Sequence, residues 1–195
     1  MVDLAEQVIR EKGLRRVSVE CGDATSLLPI TRGRPVAGIF SGFGLQQITR
    51  PAQALRDWAG VLAPGGALVV AYWPHIVEER GPWRCLTDLT VGSENWQGGI
   101  PDVALAALPG LELVSDTEPA FEMVWPGAAE FFEIMSTAGP WRSRRIHYGD
   151  AHMEEVCEKF MASCPDVDAR PLRHRPKARQ IVLRMRDPAQ HAAKL

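Results

Sequence analysis

The 195-residue sequence predicts an α/β protein built on a mostly parallel sheet. Three observations carry this. Val36-Ala-Gly-Ile-Phe40 and Ala67-Leu-Val-Val-Ala-Tyr72 are unbroken apolar runs of strand length, the pattern of parallel strands covered on both faces. Between them Ala54, Leu55, Trp58, Val61 and Leu62 recur at i, i+1, i+4, i+7 and i+8, which is the period of an amphipathic helix. A strand, a helix and a second strand in about 40 residues make a βαβ unit, whose crossover is right-handed. The third observation is that two predicted strands end in small and acidic residues, Gly22-Asp23-Ala24 and Ser41-Gly42-Phe43-Gly44, so their carboxyl ends form a candidate ligand edge.

Residues 3–12 place Leu4, Ala5, Val8 and Ile9 on one helical face, and Gly13 supplies the stop. Val17–Cys21 is expected as the first strand, and Thr31–Pro35 as a solvated loop. Gly38 inside the second strand implies close backbone approach. Pro51 opens the central helix, and Ala63-Pro-Gly-Gly66 turns the chain into the third strand. Beyond Trp73-Pro74 come a short helix over Cys85–Val91, a Gly-rich loop over Gly92–Gly99 and a helix over Ile100–Leu108. A strand follows at Leu111–Val114, a strand-like run at Ala120–Trp125 and an apolar helix at Ala128–Ser136. His152–Ser163 is an amphipathic helix with Val156 and Phe160 inward, and Gln180–Met185 the closing strand. These elements read as one partial domain. Residues 1–73 and 111–186 form its sheet core, 74–110 and 125–150 are substrate or lid insertions, and 187–195 a frayed tail.

Composition limits what the chain can do. With 46% apolar residues, 24% charged residues and a net charge of −2, it has no global electrostatic case for nucleic acid or anionic membrane. The four cysteines form no C-x-x-C pair and stand with no histidine at zinc spacing, so they read as reduced structural thiols with no metal site. No apolar run reaches the about 18–20 residues of a membrane span, and the start lacks a signal peptide's basic region and apolar core. A cytoplasmic protein is expected.

At Val19-Glu-Cys-Gly-Asp-Ala24, Phe40-Ser-Gly-Phe-Gly-Leu-Gln-Gln47 and Leu62-Ala-Pro-Gly-Gly-Ala-Leu-Val-Val70, the chain resembles class I S-adenosylmethionine (AdoMet)-dependent methyltransferases. The small-molecule type of ubiquinone and menaquinone biosynthesis is nearest in style. The resemblance is close over residues 1–75 and holds only in element order beyond them. It implies a Rossmann-like sheet of order 3-2-1-4-5-7-6, mostly parallel with an antiparallel last strand. Val17–Cys21, Val36–Phe40 and Ala67–Tyr72 take the places of strands 3, 4 and 5, Leu111–Val114, with or without Ala120–Trp125, that of strand 6 and Gln180–Met185 that of strand 7.

The same resemblance implies AdoMet as cofactor, held by Gly22, Asp23, Ala24, Ser41, Gly42 and Phe43. Asp23 matches the acid that accepts a hydrogen bond from the adenine amino group, and Ala24 the residue whose N–H meets the ring. Ser41, Gly42 and Phe43 match the strand-4 end beside the methionine. The family's first strand, its G-x-G-x-G loop and the ribose-binding acid of strand 2 have no counterpart in the sequence. The expectation is therefore a methyltransferase sheet lacking its first two strands, with a reading frame that extends about 60–80 residues upstream. Strand 4 then becomes an open edge, and the segment at Val17–Cys21 loses its neighbours.

Methyl transfer is an in-line displacement that asks the protein to align donor and acceptor and exclude water, so no obligatory triad is expected. Candidates for the substrate pocket are Gln46, Trp73, Trp83, Trp141, His147 and Tyr148, the aromatics through cation–π contact with the sulfonium. Each weighs against a plainer reading, core or lid packing for the tryptophans and turn capping for Gln46. His75 is the candidate general base, set against a surface histidine. The tetrapeptide Gly81-Pro-Trp-Arg84 recurs at Gly139-Pro-Trp-Arg142, a coincidence or a pair of aromatic flaps. The arginines over 142–145 and 170–179 read as solvated basic loops.

The leading expectation is AdoMet-dependent methylation of a small-molecule acceptor, with no nucleic acid or membrane partner and with room for a homodimer. The alternative is a catalytically silent methyltransferase-like subunit that pairs its open strand edge with another chain. A nicotinamide-dependent oxidoreductase fits poorly, because it too needs a Gly-rich first turn.

Overall fold

The computed structural model describes residues 1–90, 108 and 110–187. The Gly92–Gly99 loop and all but the last residue of the Ile100–Leu108 helix lie outside the described residues, as does most of the tail. The sheet consists of β1 (Val36–Gly42), β2 (Leu62–Tyr72), β3 (Leu111–Thr117) and β6 (Arg179–Met185), ordered β1-β2-β6-β3. That is the expected order 4-5-7-6, and the sheet is mostly parallel. The last pair is antiparallel: Arg186 N–H donates to Gly110 O at 2.8 Å at one end, and Ala178 N–H to Pro119 O at 3.1 Å at the other.

Two compact units divide the chain. The first comprises Met1–Val70, Ile100–Val114 and Val182–Leu195. In it α1 (Val2–Glu11) and α2 (Leu28–Thr31) precede β1, and α3 (Pro51–Gly60) crosses to β2. Helix α3 buries Ala54, Leu55, Trp58 and Ala59, the face its periodicity defines. The β1–β2 ladder starts earlier than the turn chemistry of Ala63–Gly66 implies, with Val36 N–H donating to Val61 O at 2.9 Å. Pro64 and Gly65 are thus carried inside a strand. Gly66 is required there, since a Cβ would lie 2.8 Å from Ala63 O and 3.2 Å from the carbonyls of Val36 and Ala37.

Two expectations in this unit are corrected. Val17–Cys21 is not a strand but irregular chain, mostly exposed. Its residues favour a strand, yet among the described residues no ladder partner meets them, and an isolated strand has no stability of its own. Strand β1 is not buried on both faces either: Ala37, Gly38, Phe40 and Gly42 are exposed, Phe40 at 72%. The cause is the same. Among the described residues it is the edge of the sheet.

The second unit comprises Ala71–Gly99 and Ser115–Ile181. It contains α4 (Pro82–Thr90), α5 (Ala128–Ser136), α6 (Gly139–Tyr148) and α7 (Asp150–Ser163), with a two-stranded antiparallel sheet of β4 (Met123–Trp125) and β5 (Leu172–His174). Its core gathers Leu86 from α4, Phe131 from α5, Met153 and Phe160 from α7 and Leu172 from β5, all fully buried. Phe131 stacks on Phe160 at 5.8 Å between centroids and meets Trp125 edge-on at 5.4 Å.

Strand β5 corrects the reading of residues 170–179 as a solvated basic loop. Leu172, His174 and Pro176 are buried while Arg173 and Arg175 are exposed, a period of two with prolines at either side. His174 is held between two partners. Trp125 Nε1–H donates to its Nε2 at 2.9 Å, which makes Nε2 the acceptor and leaves the proton on Nδ1, 3.0 Å from Glu78 Oε1. The other carboxylate oxygen, Oε2, accepts the Trp83 N–H at 3.0 Å at the start of α4. Glu78 and His174 are both buried. Gly81 belongs to this arrangement, with φ +130° and no room for a Cβ, which would fall 2.6 Å from the Glu78 carboxylate.

Two stability predictions follow from this unit. Glu78→Ala orphans two buried donors and should lower unfolding free energy by about 3 kcal/mol in urea titration, with Glu78→Gln intermediate because its amide nitrogen faces a second donor. The second concerns Asp116, bound by Arg179 through Nε (2.9 Å) and Nη2 (2.6 Å). Those hydrogen bonds hold its carboxyl below the ordinary 3.8. The pair stabilises the fold above that value and is lost as pH falls through the lowered one. Asp116→Asn should therefore cost about 1 kcal/mol at pH 7, and the gap to the natural chain should close in strong acid.

Candidate functional site

The turn after Cys21 is built by a local competition between side chain and backbone. Asp and Thr two residues apart favour a turn in which the carboxylate captures the next N–H. Thr25 donates both its N–H, at 2.9 Å, and its hydroxyl, at 2.7 Å, to Asp23 Oδ1. These bonds, the backbone one first, hold the Asp23 carboxyl below the usual carboxylate range, so it is anionic at neutral pH. Both go to one oxygen. Among the described residues neither Asp23 Oδ2 nor the Ala24 N–H has an intramolecular partner.

The turn is also fastened from behind. Trp58 Nε1–H on α3 donates to Ala24 O at 2.7 Å, with the indole almost fully buried. The result is an anionic acceptor and a free N–H on successive residues. An adenine edge, with an amino donor beside a ring-nitrogen acceptor, presents the complement. The residues present thus fit the adenine part of AdoMet. Trp58 was legible in the sequence only as a core residue of an amphipathic helix, since nothing in a periodic pattern signals where an indole N–H points.

At the end of β1, Ser41 is half-buried and Gly42 exposed. Phe43 has φ +56°, a left-handed conformation that is unusual for a bulky side chain and held at a cost of about 1–3 kcal/mol. Leu45, fully buried, anchors the following 3-10 turn Leu45–Gln47, and Gln46 is half-buried in it. Gly22 sits with a would-be Cβ 3.2 Å from Ile30 Cδ1, so the side chain of Ile30 packs against the turn.

The second unit brings three of the predicted pocket residues together. Trp73 and Trp83 lie 4.7 Å apart between ring centroids, and Trp83 and Trp141 5.6 Å apart. Trp83 and Trp141 are buried, and Trp141 Nε1–H donates to Thr90 Oγ1 at 2.9 Å. The twin Gly-Pro-Trp-Arg segments turn out to be the starts of α4 and α6, which seat these indoles edge to face. His147 and Tyr148 end α6, exposed, with rings 4.5 Å apart and Arg144 above Tyr148. His75 is exposed just after β2. All four cysteines are free. Burial pushes the Cys164 thiol up to about 12 and raises Cys157 as well, so neither supplies a thiolate nucleophile. Among the described residues no group of His, Cys, Asp and Glu could hold a metal, and no helix is long and apolar enough to cross a membrane.

Comparison with known proteins bears on the same features. Residues 1–70 match the family model of a methyltransferase domain. No curated protein matches the sequence. Among solved structures, a protein assigned as a methyltransferase of Bacillus halodurans C-125 superposes with a TM-score of 0.58 at 18% identity, covering 95% of this chain and 78% of that one. The YcgJ protein of Bacillus subtilis gives 0.56 at 15% identity, over 96% and 79%. An assigned type II methyltransferase of Anaeromyxobacter dehalogenans gives 0.58 at 16%, over 89% and 74%. At these identities the structures speak for the fold, and the matched domain covers the Asp23 turn, β1 and most of β2. Residues 1–70 thus match a methyltransferase domain, and the chain shares the fold of these methyltransferase structures.

Proposed function

We propose that the protein transfers the methyl group of AdoMet to a small-molecule acceptor. The observation that supports this most directly is the turn at Asp23. Its unpartnered carboxylate oxygen and the neighbouring Ala24 N–H offer the acceptor and donor that adenine needs, and α3 fixes them through Trp58. AdoMet supplies an electrophilic methyl group on a sulfonium. The chain's own contribution is to hold the adenine end, to set Ser41, Gly42 and Phe43 beside the methionine end, and to exclude water from the displacement.

The exposed apolar edge of β1 bears on how the site is completed. An edge carrying Phe40 and neither charges nor prolines is unprotected. The sequence also contains no G-x-G-x-G loop. We read both as the place of a strand–helix–strand segment encoded upstream, which adds the ribose and methionine contacts. The acceptor is set by the insertions after β2, with Gln46, Trp73, Trp83, Trp141, His147 and Tyr148 as pocket residues and His75 as base where the nucleophile must lose a proton. The four free thiols suit a reducing cytoplasm.

Calorimetric titration with S-adenosylhomocysteine tests the reading on the chain as given and on its upstream-extended reading frame. The extended protein should bind in the micromolar range, and Asp23→Ala should weaken it about ten- to hundredfold through loss of a charge-assisted hydrogen bond. Trp58→Phe removes the indole N–H together with part of a buried ring, and should cost about fivefold in affinity while also lowering Tm. Absence of binding in both proteins, or an Asp23→Ala variant that binds as well as its parent, overturns the assignment.

A further inference from the structure

The second unit carries a cleft of about 660 Å³ between the segment from Glu78 to Leu89 and the segment from Ser163 to Arg175. That volume lies within the range of small-ligand sites. Its walls include Pro82, Leu89 and Pro165, and four arginines line it. Neighbouring cations are matched by carboxylates: Arg84 by Asp88 at 2.8 Å, Arg173 by Glu122 at 3.4 Å and Lys177 by Glu79 at 3.3 Å. Arg80 and Arg175 are not. Among the described residues neither guanidinium has a hydrogen-bond or ion-pair partner, and both are exposed.

Both residues line the cleft, and the backbone brings the segments that carry them together. Val77 O accepts the Lys177 N–H at 2.7 Å and Glu78 meets His174 at 3.0 Å, so Arg80 and Arg175 each follow closely on a residue of the same backbone crossing. The buried Glu78 does not neutralise them through hydrogen bonds, because its oxygens are taken by His174 and the Trp83 N–H. The remaining carboxylate on the lining without a partner is Asp166, so the unpaired arginines outnumber it two to one. Two guanidinium forks beside apolar walls match a planar or tetrahedral oxyanion attached to an apolar body.

We propose that this cleft is a binding site for a small organic oxyanion, a carboxylate or phosphate monoester, gripped by Arg80 and Arg175. The cleft shares the insertion after β2 with the proposed acceptor region but none of its lining residues belongs to the Asp23 turn or β1, so anion binding here is tested independently of AdoMet binding. Calorimetry on the full chain with benzoate, phenyl phosphate and inorganic phosphate tests it, with benzamide as the neutral counterpart of benzoate. Benzoate or phenyl phosphate should bind, weaken as salt rises and lose at least tenfold in affinity in the double variant Arg80→Gln, Arg175→Gln. Tighter binding of phenyl phosphate than of benzoate assigns the phosphate form, and the reverse assigns the carboxylate. Both positions are exposed, so the double variant should keep the parent Tm, and Arg84→Gln, which loses a paired arginine, should change affinity less than threefold. The proposal fails if no anion binds, if benzamide binds as well as benzoate, if inorganic phosphate alone binds, or if the double variant retains the parent affinity.

Discussion

The ladder between β1 and β2 is the constraint on which the first unit rests. It is entered at Val36, whose N–H reaches Val61 O, and it runs past Gly66, where the backbones come too close for any side chain. One side of β1 is thereby satisfied. The other side meets nothing among the described residues, and that asymmetry accounts for the two departures from the sequence reading in this unit. Val17–Cys21 has the residues of a strand without a neighbour to pair with, and β1 has the composition of a central strand in the position of an edge. Both follow from a single cause, an edge without a partner among the described residues.

The second unit is organised around a polar centre rather than a ladder. Trp125, His174, Glu78 and the start of α4 form a directional chain in which each donor meets one acceptor, so the histidine tautomer follows from the indole, which can only donate. A buried network of this kind is stable only when complete. Here it ties β4, β5 and α4 at one point, and Gly81 leaves the space that the carboxylate fills.

Much of the fold was readable because its signals are local and periodic. The Ala128–Ser136 helix matches residue for residue, and Val156 and Phe160 are buried as their spacing requires. The strand order also emerged, though only through the resemblance, since periodicity carries no information on which strands are neighbours. The misses have physical causes. In Leu172–Pro176 the alternation of buried and exposed residues was present, but the prolines at 171 and 176 and the basic residues Arg173, His174 and Arg175 gave it the look of a loop. The twin Gly-Pro-Trp-Arg segments were legible as a repeat and not as two helix starts, because the same Gly-Pro pair that opens a helix also closes a turn.

The cofactor side illustrates why a methyltransferase site is only half legible. Chemistry that relies on alignment leaves no nucleophile, base or metal cluster for a sequence pattern to reveal, and what can be read is the group that recognises a constant ligand. Asp23 is the group we propose for that role. Its readiness, however, comes from features the sequence does not display: Thr25 occupies one carboxylate oxygen and leaves the other, and Trp58, 34 residues away, pins the next carbonyl. Two bonds to Oδ1 keep the acid ionised while sparing Oδ2. The turn is therefore preorganised in charge and in direction before any ligand arrives, which is the part of binding that otherwise has to be supplied from the ligand's own contacts.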